Sequence, residues 1–590
     1  MAKTPTLRPA QAPTLPQSDP DPDARARGLA KAREDYQFDF SYQEIVSAKS
    51  LPLHEKTDPA YWAAIAKVMA ELKANELATR SLGENVEHAA ESFLEGLAEK
   101  LAKLAPSEVG DRLARERRVD PAELDRSPEA YAKMYARIPK PPVVDTWERD
   151  DVFAWQALAG TNPIMIRRLA APHPRLPITE AHYAKAVPGD RLEAAMREGR
   201  LYVADYAILD GIPTGTFEGM DKTIFAPIAL YAWRPEREGR PAAFTPVAIQ
   251  CGQDPSKHPI FTPADGASWR MARATVTCAE GNVQGVISHF ALCHEVMESV
   301  ILATHRQLAK AHPIHVLLEP HFANTLITND IAMTSLIGPD GNMERLQSGT
   351  LEASLDLAKK ALSEFRLLES APTKDFAARG TDDLEGLPVY PFRDDGLLSW
   401  GPLERWARAY LDLYYESDAD VAADPELAAW VDEMGSEQGG RLKGLSRPET
   451  VDGLVELVAQ ILFRCTVYHA AFNYTSYDFF AYAPNMQAAT FGPGPSGTAA
   501  DSDAALEAMW PPYEAAYEGM HLFYTIFRVQ LNRLGHYPEG HFTDPRVAPL
   551  EETLRAELDA VEETIAARDA ARLLPYPYLR PSRVSNSIHV

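Results

Sequence analysis

Cysteine, basic charge and long apolar runs are all scarce in this sequence of 590 residues. Four cysteines without a C-x-x-C pair argue against a disulfide framework and against a zinc ribbon. Lysine and arginine number 59 against 84 aspartates and glutamates, a net charge of −25, which would repel a phosphate backbone. These shortages exclude nucleic acid as an expected partner and a small disulfide-rich scaffold as the expected class.

Apolar segments long enough to cross a membrane are also missing from the sequence pattern. No window of about 18 consecutive apolar residues occurs, so we expect no transmembrane segment. The opening MAKTPTLRPAQAPTLPQ has no apolar stretch that could act as a signal peptide. The expected location is therefore the cytoplasm.

The composition is that of a globular protein, with 45% hydrophobic and 24% charged residues. Residues 1–35 are rich in Pro, Asp, Arg and Ala without periodicity, and we predict a disordered arm there. Residues 36–150 carry apolar positions at helical spacing and are predicted to form a helical segment, followed by the main domain over residues 151–590. The positions that carry this pattern are Tyr61, Ile65, Val68, Met69, Leu72, Phe93, Leu94, Leu97 and Leu101.

The main domain is predicted to be mainly α with one small sheet. Short apolar or alternating segments between residues 201 and 248, separated by Gly and Pro, indicate a small antiparallel sheet. Helical periodicity then dominates, with long helices predicted over residues 268–311, 320–336, 351–368, 402–415, 451–480 and 506–531. The fold class expected is one large helical body with a minor antiparallel β subdomain.

Six of the 16 histidines fall between His289 and His321, and two of them lie in an apolar run too hydrophobic for a surface helix. His289 and His294 are five residues apart, which on an α-helix leaves their side chains about 140° apart. A π-bulge between them would bring both imidazoles onto one face, and such bulges are common at functional sites. We therefore predict a bulge there.

A second apolar segment, GLVELVAQILFRCTVYHAAFNYTSY, carries His469 and Asn473 at i and i+4. This spacing places the two side chains about 40° apart on one helix face. With His289 and His294, they would supply three imidazoles and an amide oxygen to a transition metal. A hydrogen-bonded His–Asn pair buried in the core is the alternative interpretation.

Taken together, these segments resemble the lipoxygenase family. The segment SHFALCHEVMESVILATHRQLAKAHPIHVLLEPHF resembles the family's histidine signature, HAAFN matches its third histidine and asparagine, and NSIHV is similar to its Asn-Ser-Ile ending. Further similar stretches are FAWQALAGTNPIMIRRL, GRLYVADYAIL and SWRMARATV. The likeness covers residues 150 to 590. Since residues 36–150 appear helical, the chain resembles the short bacterial-type forms without an N-terminal β-sandwich lipid-docking domain.

The resemblance implies one non-heme iron held by His289, His294, His469, Asn473 and the C-terminal carboxylate of Val590. It implies a dioxygenase that uses ferric hydroxide to take a hydrogen atom from a cis,cis-1,4-pentadiene unit, after which O2 adds to give a lipid hydroperoxide. The implied substrates are C18–C20 polyunsaturated fatty acids and O2, with transient membrane contact as a possibility. Most members end in isoleucine; the valine here, found in some manganese-using relatives, makes manganese the alternative metal.

Three further residues gain roles from the resemblance. Ala332 stands where the family carries alanine or glycine, and alanine there usually accompanies S-hydroperoxide products. Leu336 would press the substrate toward the metal, and Phe290 beside the first ligand would line an apolar channel. Met486 stands where some members place an arginine for the fatty-acid carboxylate, so that partner is expected elsewhere.

Two other functions remain open at this point. Lipoxygenase-like proteins can isomerise lipid hydroperoxides to epoxyalcohols, and the ligands alone do not distinguish that reaction from dioxygenation. A non-catalytic lipid-binding protein with a structural metal such as zinc is the other alternative, although zinc prefers four closed ligands. The remaining histidines, His305, His312, His315 and His321, are predicted to form hydrogen bonds within the core, and Cys293 is not expected to be a ligand.

Overall fold

Two long apolar helices form the centre of the molecule. The computed structural model describes residues 12–79, 126–237 and 239–590. The first core helix spans Pro263–Gln307 and the second spans Val451–Phe480. The first packs against the helices Leu351–Glu364 and Pro425–Gly435 and contacts the second. The mainly α fold class is confirmed.

The other helices surround this pair. Their bounds are Pro22–Asp35, Leu53–Lys56, Pro59–Thr79, Pro128–Ala132, Asp150–Ala159, Glu180–Ala186, Leu192–Arg197, Pro313–Leu318, Thr325–Ser335, Asn342–Leu346, Leu351–Glu364, Pro372–Arg379, Pro391–Leu411, Asp418–Ala422, Pro425–Gly435, Asp503–Met509, Tyr513–Arg528 and Ala548–Asp569.

The predicted small antiparallel sheet is present. Its five strands, in spatial order, are Arg167–Arg168, Leu201–Asp205, Ile228–Arg234, Ala243–Gln250 and Ile260–Phe261. Adjacent strands run antiparallel, with Val203 opposite Leu230 and Leu230 opposite Ala248. Two-stranded ribbons add Phe38–Asp39 with Ser47–Ala48, and Thr216–Phe217 with Met220–Asp221.

One hydrophobic core extends across the predicted boundary at residue 151. Tyr61 and Leu72 on its N-terminal side are buried in the same cluster as Leu158 and the two core helices. The division at residue 151 therefore does not coincide with a separation of cores, and as a domain boundary it stays a prediction. The helical spacing of Tyr61, Ile65, Val68 and Leu72 corresponds to buried positions of Pro59–Thr79, whereas Phe93 to Leu101 lie outside the described residues.

The expected disordered arm is wrong for residues 22–35, which form an α-helix packed on the first core helix. This helix is held by charge rather than by an apolar stripe. Arg25 is 9% exposed and lies 2.6 Å from Glu426 and 2.7 Å from Asp19. Because this segment has no apolar periodicity and buries an arginine, its sequence pattern does not predict the helix. Residues 1–11 lie outside the described part of the chain.

Two predicted helix bounds are also corrected. Pro402 was expected to start a helix, but it lies inside Pro391–Leu411, which packs against the second core helix and Ala548–Asp569. Tertiary packing there outweighs the hydrogen bond that proline removes. The helix predicted over 506–531 is two helices, since Pro511 and Pro512 disfavour helical backbone before them.

The expectation about membrane-length helices also needs revision. Pro263–Gln307 and Val451–Phe480 are long and apolar enough to cross a membrane by length and composition. Inside the fold, 89% and 94% of their most apolar windows are buried, which is typical of core helices.

Candidate metal centre

Both core helices leave α-helical geometry where they carry polar residues. The first is π-helical over Gln284–Glu295, and the second over Arg464–Tyr468, directly before His469. Because π-helical hydrogen bonds join residues five apart, side chains spaced by five come onto one face. The predicted bulge between His289 and His294 is confirmed. The second π segment was not predicted, since the spacing of four between His469 and Asn473 fits an ordinary α-helix.

Three imidazoles converge between the core helices. Nε2 of His289 lies 3.3 Å from Nε2 of His294 and 3.4 Å from Nε2 of His469. One ring nitrogen of each histidine lies within 4.8 Å of those of the other two. Nitrogens this close, contributed by three rings from two helices, surround one point in the manner of ligands that share a metal ion.

Burial keeps these imidazoles uncharged. It lowers the pKa of His294 to about 4 and the pKa values of His289 and His469 well below the usual histidine value, and neighbouring histidines lower the latter two further. A neutral imidazole has a free lone pair on one nitrogen, which is the form that binds metals. His289 is half-buried, whereas His294 and His469 are buried, so His289 is the most accessible of the three.

Asn473 has the free oxygen that a ligand needs. Its Nδ2 donates to the carbonyl of Ile526 at 3.1 Å, which orients the amide. Its Oδ1 is buried and accepts no hydrogen bond within the described residues. An unpaired buried oxygen is costly, so its position one helical turn after His469 fits a ligand and not the alternative of a satisfied His–Asn pair.

The chain end lies at the same site. The main chain of Val590 lies close enough to the imidazole of His469 to act on its pKa, in the direction that raises it, and Val590 is 8% exposed. The preceding residues are firmly held: Asn586 Oδ1 accepts from the amide of Gly535 at 3.0 Å, and the amide of Leu531 donates to Nε2 of His589 at 3.2 Å. This anchoring places the terminus beside the histidine cluster.

Hydrogen bonds from two side chains that the sequence interpretation did not single out link the two core helices. Nη1 of the buried Arg464 donates to the carbonyl of Leu292, between the first two histidines, at 2.5 Å. Nε2 of Gln284 donates to the carbonyl of Phe472, next to Asn473, at 2.9 Å. An arginine inside the apolar run ILFRCTVYH was a signal that could have revealed the first of these contacts.

Gly285 marks a further close approach on the half-buried face that carries His289. A Cβ atom at Gly285 would overlap Nε2 of Gln347, so any larger residue there would displace the end of the Gln347 side chain. Oδ1 of Asn282, earlier on the same helix, accepts from the amide of Ser348 at 3.1 Å. Neither Gly285 nor Gln347 was noticed in the sequence, because their proximity depends on a contact between distant segments.

The three predicted positioning residues lie on two elements. Phe290 is buried in the first π segment next to His289. Ala332 and Leu336 lie at the end of Thr325–Ser335 and are half-buried, so their side chains are not sealed in the core. Their contacts with a substrate stay predictions.

The remaining histidines of the signature are hydrogen-bonded or stacked within the core. His312 Nε2 lies 2.9 Å from Asp424 Oδ2, and Nδ1 of His315 and His321 lies 2.8 Å from the carbonyls of Leu308 and Asn586. His305 stacks on Tyr36 at 4.2 Å between ring centroids, and among the described residues its ring does not form the expected hydrogen bond. Burial raises the pKa of Cys293 to about 12, so its thiol is neutral and unsuited to metal binding.

Known proteins share this sequence and architecture. The lipoxygenase family profile matches residues 55–507. The chain is 37% identical over 486 residues to linoleate 9/13-lipoxygenase of Pseudomonas aeruginosa, an alignment covering 78% of this chain and 69% of that protein. It is 31% identical over 459 residues to hydroperoxide isomerase ALOXE3 of Mus musculus, covering 76% of this chain and 63% of that protein.

Solved structures agree in fold. The lipoxygenase variant Delta413-417:GS in complex with arachidonate superposes with a TM-score of 0.84 at 24% identity, over 98% of this chain and 84% of the other. The coral 8R-lipoxygenase superposes with a TM-score of 0.83 at 23% identity, over 98% and 83%. From the profile match and the identity to the bacterial relative, the chain belongs to the lipoxygenase family of dioxygenase enzymes.

Proposed function

We propose that this protein is a non-heme iron dioxygenase that converts C18–C20 polyunsaturated fatty acids to lipid hydroperoxides. The observation that carries the proposal is the convergence of three neutral imidazoles beside an unpaired Asn473 oxygen. Linoleate is the first substrate to test, because the bacterial relative is named for it.

The donor set fits iron. His289, His294, His469, Asn473 and the terminal carboxylate of Val590 would hold it, a mixture of nitrogen and oxygen ligands suited to a redox-active divalent or trivalent metal. When bound, the iron supplies the one-electron chemistry that removes a hydrogen atom from the bis-allylic carbon. Manganese accepts the same ligands and is the alternative metal.

The protein's own residues would control the environment of that reaction. Apolar side chains around the cluster, with Phe290 next to His289, exclude water and accept the hydrocarbon chain. Ala332 would shield one end of the pentadiene from O2 with its methyl group, which favours the S configuration, and Leu336 would press the chain toward the cluster. No general base or nucleophile is required in this scheme.

Oxygen uptake by the purified protein with linoleate, followed together with conjugated-diene absorbance and metal content, tests the proposal. We expect uptake, diene formation and about one iron per chain, since the cluster provides one site. His469→Ala removes one imidazole and should abolish both activity and metal binding. His182→Ala, at the N-terminus of a surface helix, is the control and should retain both.

Hydroperoxide isomerisation is the second candidate, because ALOXE3 of Mus musculus is named a hydroperoxide isomerase. An isomerase would consume a supplied linoleate hydroperoxide without taking up oxygen. Iron binding with that result would replace the dioxygenase proposal. A zinc-filled protein with neither activity would contradict both and favour a lipid-binding protein with a structural metal.

A further inference from the structure

A buried asparagine connects a cluster histidine to the rest of the fold. Asn329 lies on Thr325–Ser335 and is 3% exposed. Its Oδ1 lies 2.7 Å from Nδ1 of His294. Its Nδ2 donates to Glu298 Oε2 at 2.7 Å and to the main-chain oxygen of His294 at 3.4 Å. Because both of these partners are oxygen acceptors, Nδ2 must face them, and the amide oxygen Oδ1 must face the imidazole of His294.

The consequence for His294 follows from hydrogen-bond chemistry. An amide oxygen only accepts, so Nδ1 of His294 must carry the proton. In a neutral imidazole the other nitrogen, Nε2, then has the lone pair. That nitrogen is the one that faces His289 at 3.3 Å. The amide of Asn329 thus selects the tautomer that the cluster needs.

Glu298 fixes Asn329 in turn. It lies one helical turn after His294 on the first core helix and is 3% exposed. Its Oε1 accepts from the main-chain amide of Ala48 at 2.7 Å, on the short strand Ser47–Ala48. Each carboxylate oxygen of Glu298 therefore accepts a hydrogen bond. The series of contacts that starts at His294 ends at Ala48, in a strand that precedes the residues matched by the family profile, which begin at residue 55.

We propose that Asn329 is a positioning residue for the metal centre, that it holds His294 in the Nδ1-protonated tautomer, and that Glu298, fixed by Ala48, sets the orientation of the Asn329 amide. The inference rests on the proposed metal-binding role of the cluster. Partners of this kind typically change metal affinity by about 10- to 100-fold when removed. The N-terminal strand thereby contributes to metal retention although it contacts no cluster histidine in the hydrogen bonds described for residues 12–79.

The test measures iron affinity by competition with a chelator, together with thermal unfolding of each variant. Asn329→Leu removes the acceptor at nearly constant size, and we expect iron affinity to fall by about 10- to 100-fold. Asn342→Leu is the matched control, since Asn342 is also buried and donates to a glutamate, Glu518, at 3.0 Å. It should retain full iron affinity.

An exchange of the two polar groups tests the direction of the hydrogen bonds. Glu298→Gln alone places the NH2 group of the new side chain against the NH2 group of Asn329, if its oxygen still accepts from Ala48. The Asn329 amide should then flip and donate to Nδ1 of His294. This selects the wrong tautomer of His294, so iron affinity should fall. In the double variant with Asn329→Asp, the new carboxylate accepts from Nδ1 of His294 and from the NH2 group of the glutamine at position 298. Iron affinity should therefore recover to near that of the unsubstituted protein. A merely space-filling role predicts no such recovery.

The outcomes separate this inference from the proposed function. If the unsubstituted protein binds one iron and oxidises linoleate, but both Asn329→Leu and Glu298→Gln leave iron affinity unchanged, the positioning role is wrong and the dioxygenase proposal stands. If the double variant binds iron no better than Glu298→Gln alone, the tautomer argument is wrong. If the unsubstituted protein binds no iron, both proposals fail together.

Discussion

Two groups of histidines in the core region of the molecule differ in what their ring nitrogens contact. In the first group, His289, His294 and His469, the Nε2 atoms face one another. In the second group, both ring nitrogens of His312 and of His321 have protein partners: His312 accepts from the amide of Ile314 and contacts Asp424, and His321 contacts Asn586 and Tyr537. The comparison shows that the cluster histidines are distinguished by ring nitrogens that face one another, whereas a buried nitrogen without a hydrogen bond, such as Nε2 of His315, does not by itself indicate a metal site.

Replacing one histidine from each group with alanine should give the largest effects, on iron binding for the first group and on stability for the second. We expect His294→Ala to reduce iron binding and linoleate oxygenation by at least about 100-fold, since a ligand is removed. His312→Ala should retain iron but lower the free energy of unfolding by about 3 kcal/mol, because Asp424 loses a fully buried partner. Metal analysis and denaturant unfolding distinguish the two. Equal loss of iron in both variants would contradict the claim that only the first group binds the metal.

Removing the metal should lower the stability of the folded protein only when the first group of histidines is intact. At free iron 100 times its dissociation constant, binding to the folded state alone stabilises by about 2.7 kcal/mol. Chelation should therefore lower the thermal midpoint of the unsubstituted protein and of His312→Ala, and should leave that of His294→Ala unchanged. The measurement is thermal unfolding with and without chelator. A similar midpoint shift in all three proteins would contradict a single site at the cluster.

A smaller effect is expected on the helix face next to His289. Gly285→Ala puts a Cβ where Nε2 of Gln347 lies, so the end of this flexible side chain must shift, and we expect a cost of at most about 1 kcal/mol of stability relative to the control variant. Gly453→Ala is the control in the second core helix, where the new Cβ meets atoms only at 3.4 Å or more. Adding Gln347→Ala to Gly285→Ala should restore most of the loss. Denaturant unfolding that finds no recovery would show that the clash lies elsewhere.

The parts predicted well are those that local pattern controls. Spacing of His289 and His294 on an apolar run was enough to predict the π-bulge, because only that distortion lets two residues five apart share a face. The small sheet followed from short alternating segments ending in Gly and Pro. The helix Pro22–Asp35 was missed because its burial depends on Arg25 meeting Glu426, 401 residues away.

The sequence by itself determined the mainly α class and the positions of His289, His294, His469 and Asn473 on apolar helices, since those depend on spacing and composition within single segments. Tertiary structure alone decided that Asn473 Oδ1 has no hydrogen-bond partner among the described residues, and that Asn329 contacts both His294 and Glu298. The physical reason is that a hydrogen-bond partner is chosen by packing between distant segments, and spacing along the chain does not encode it.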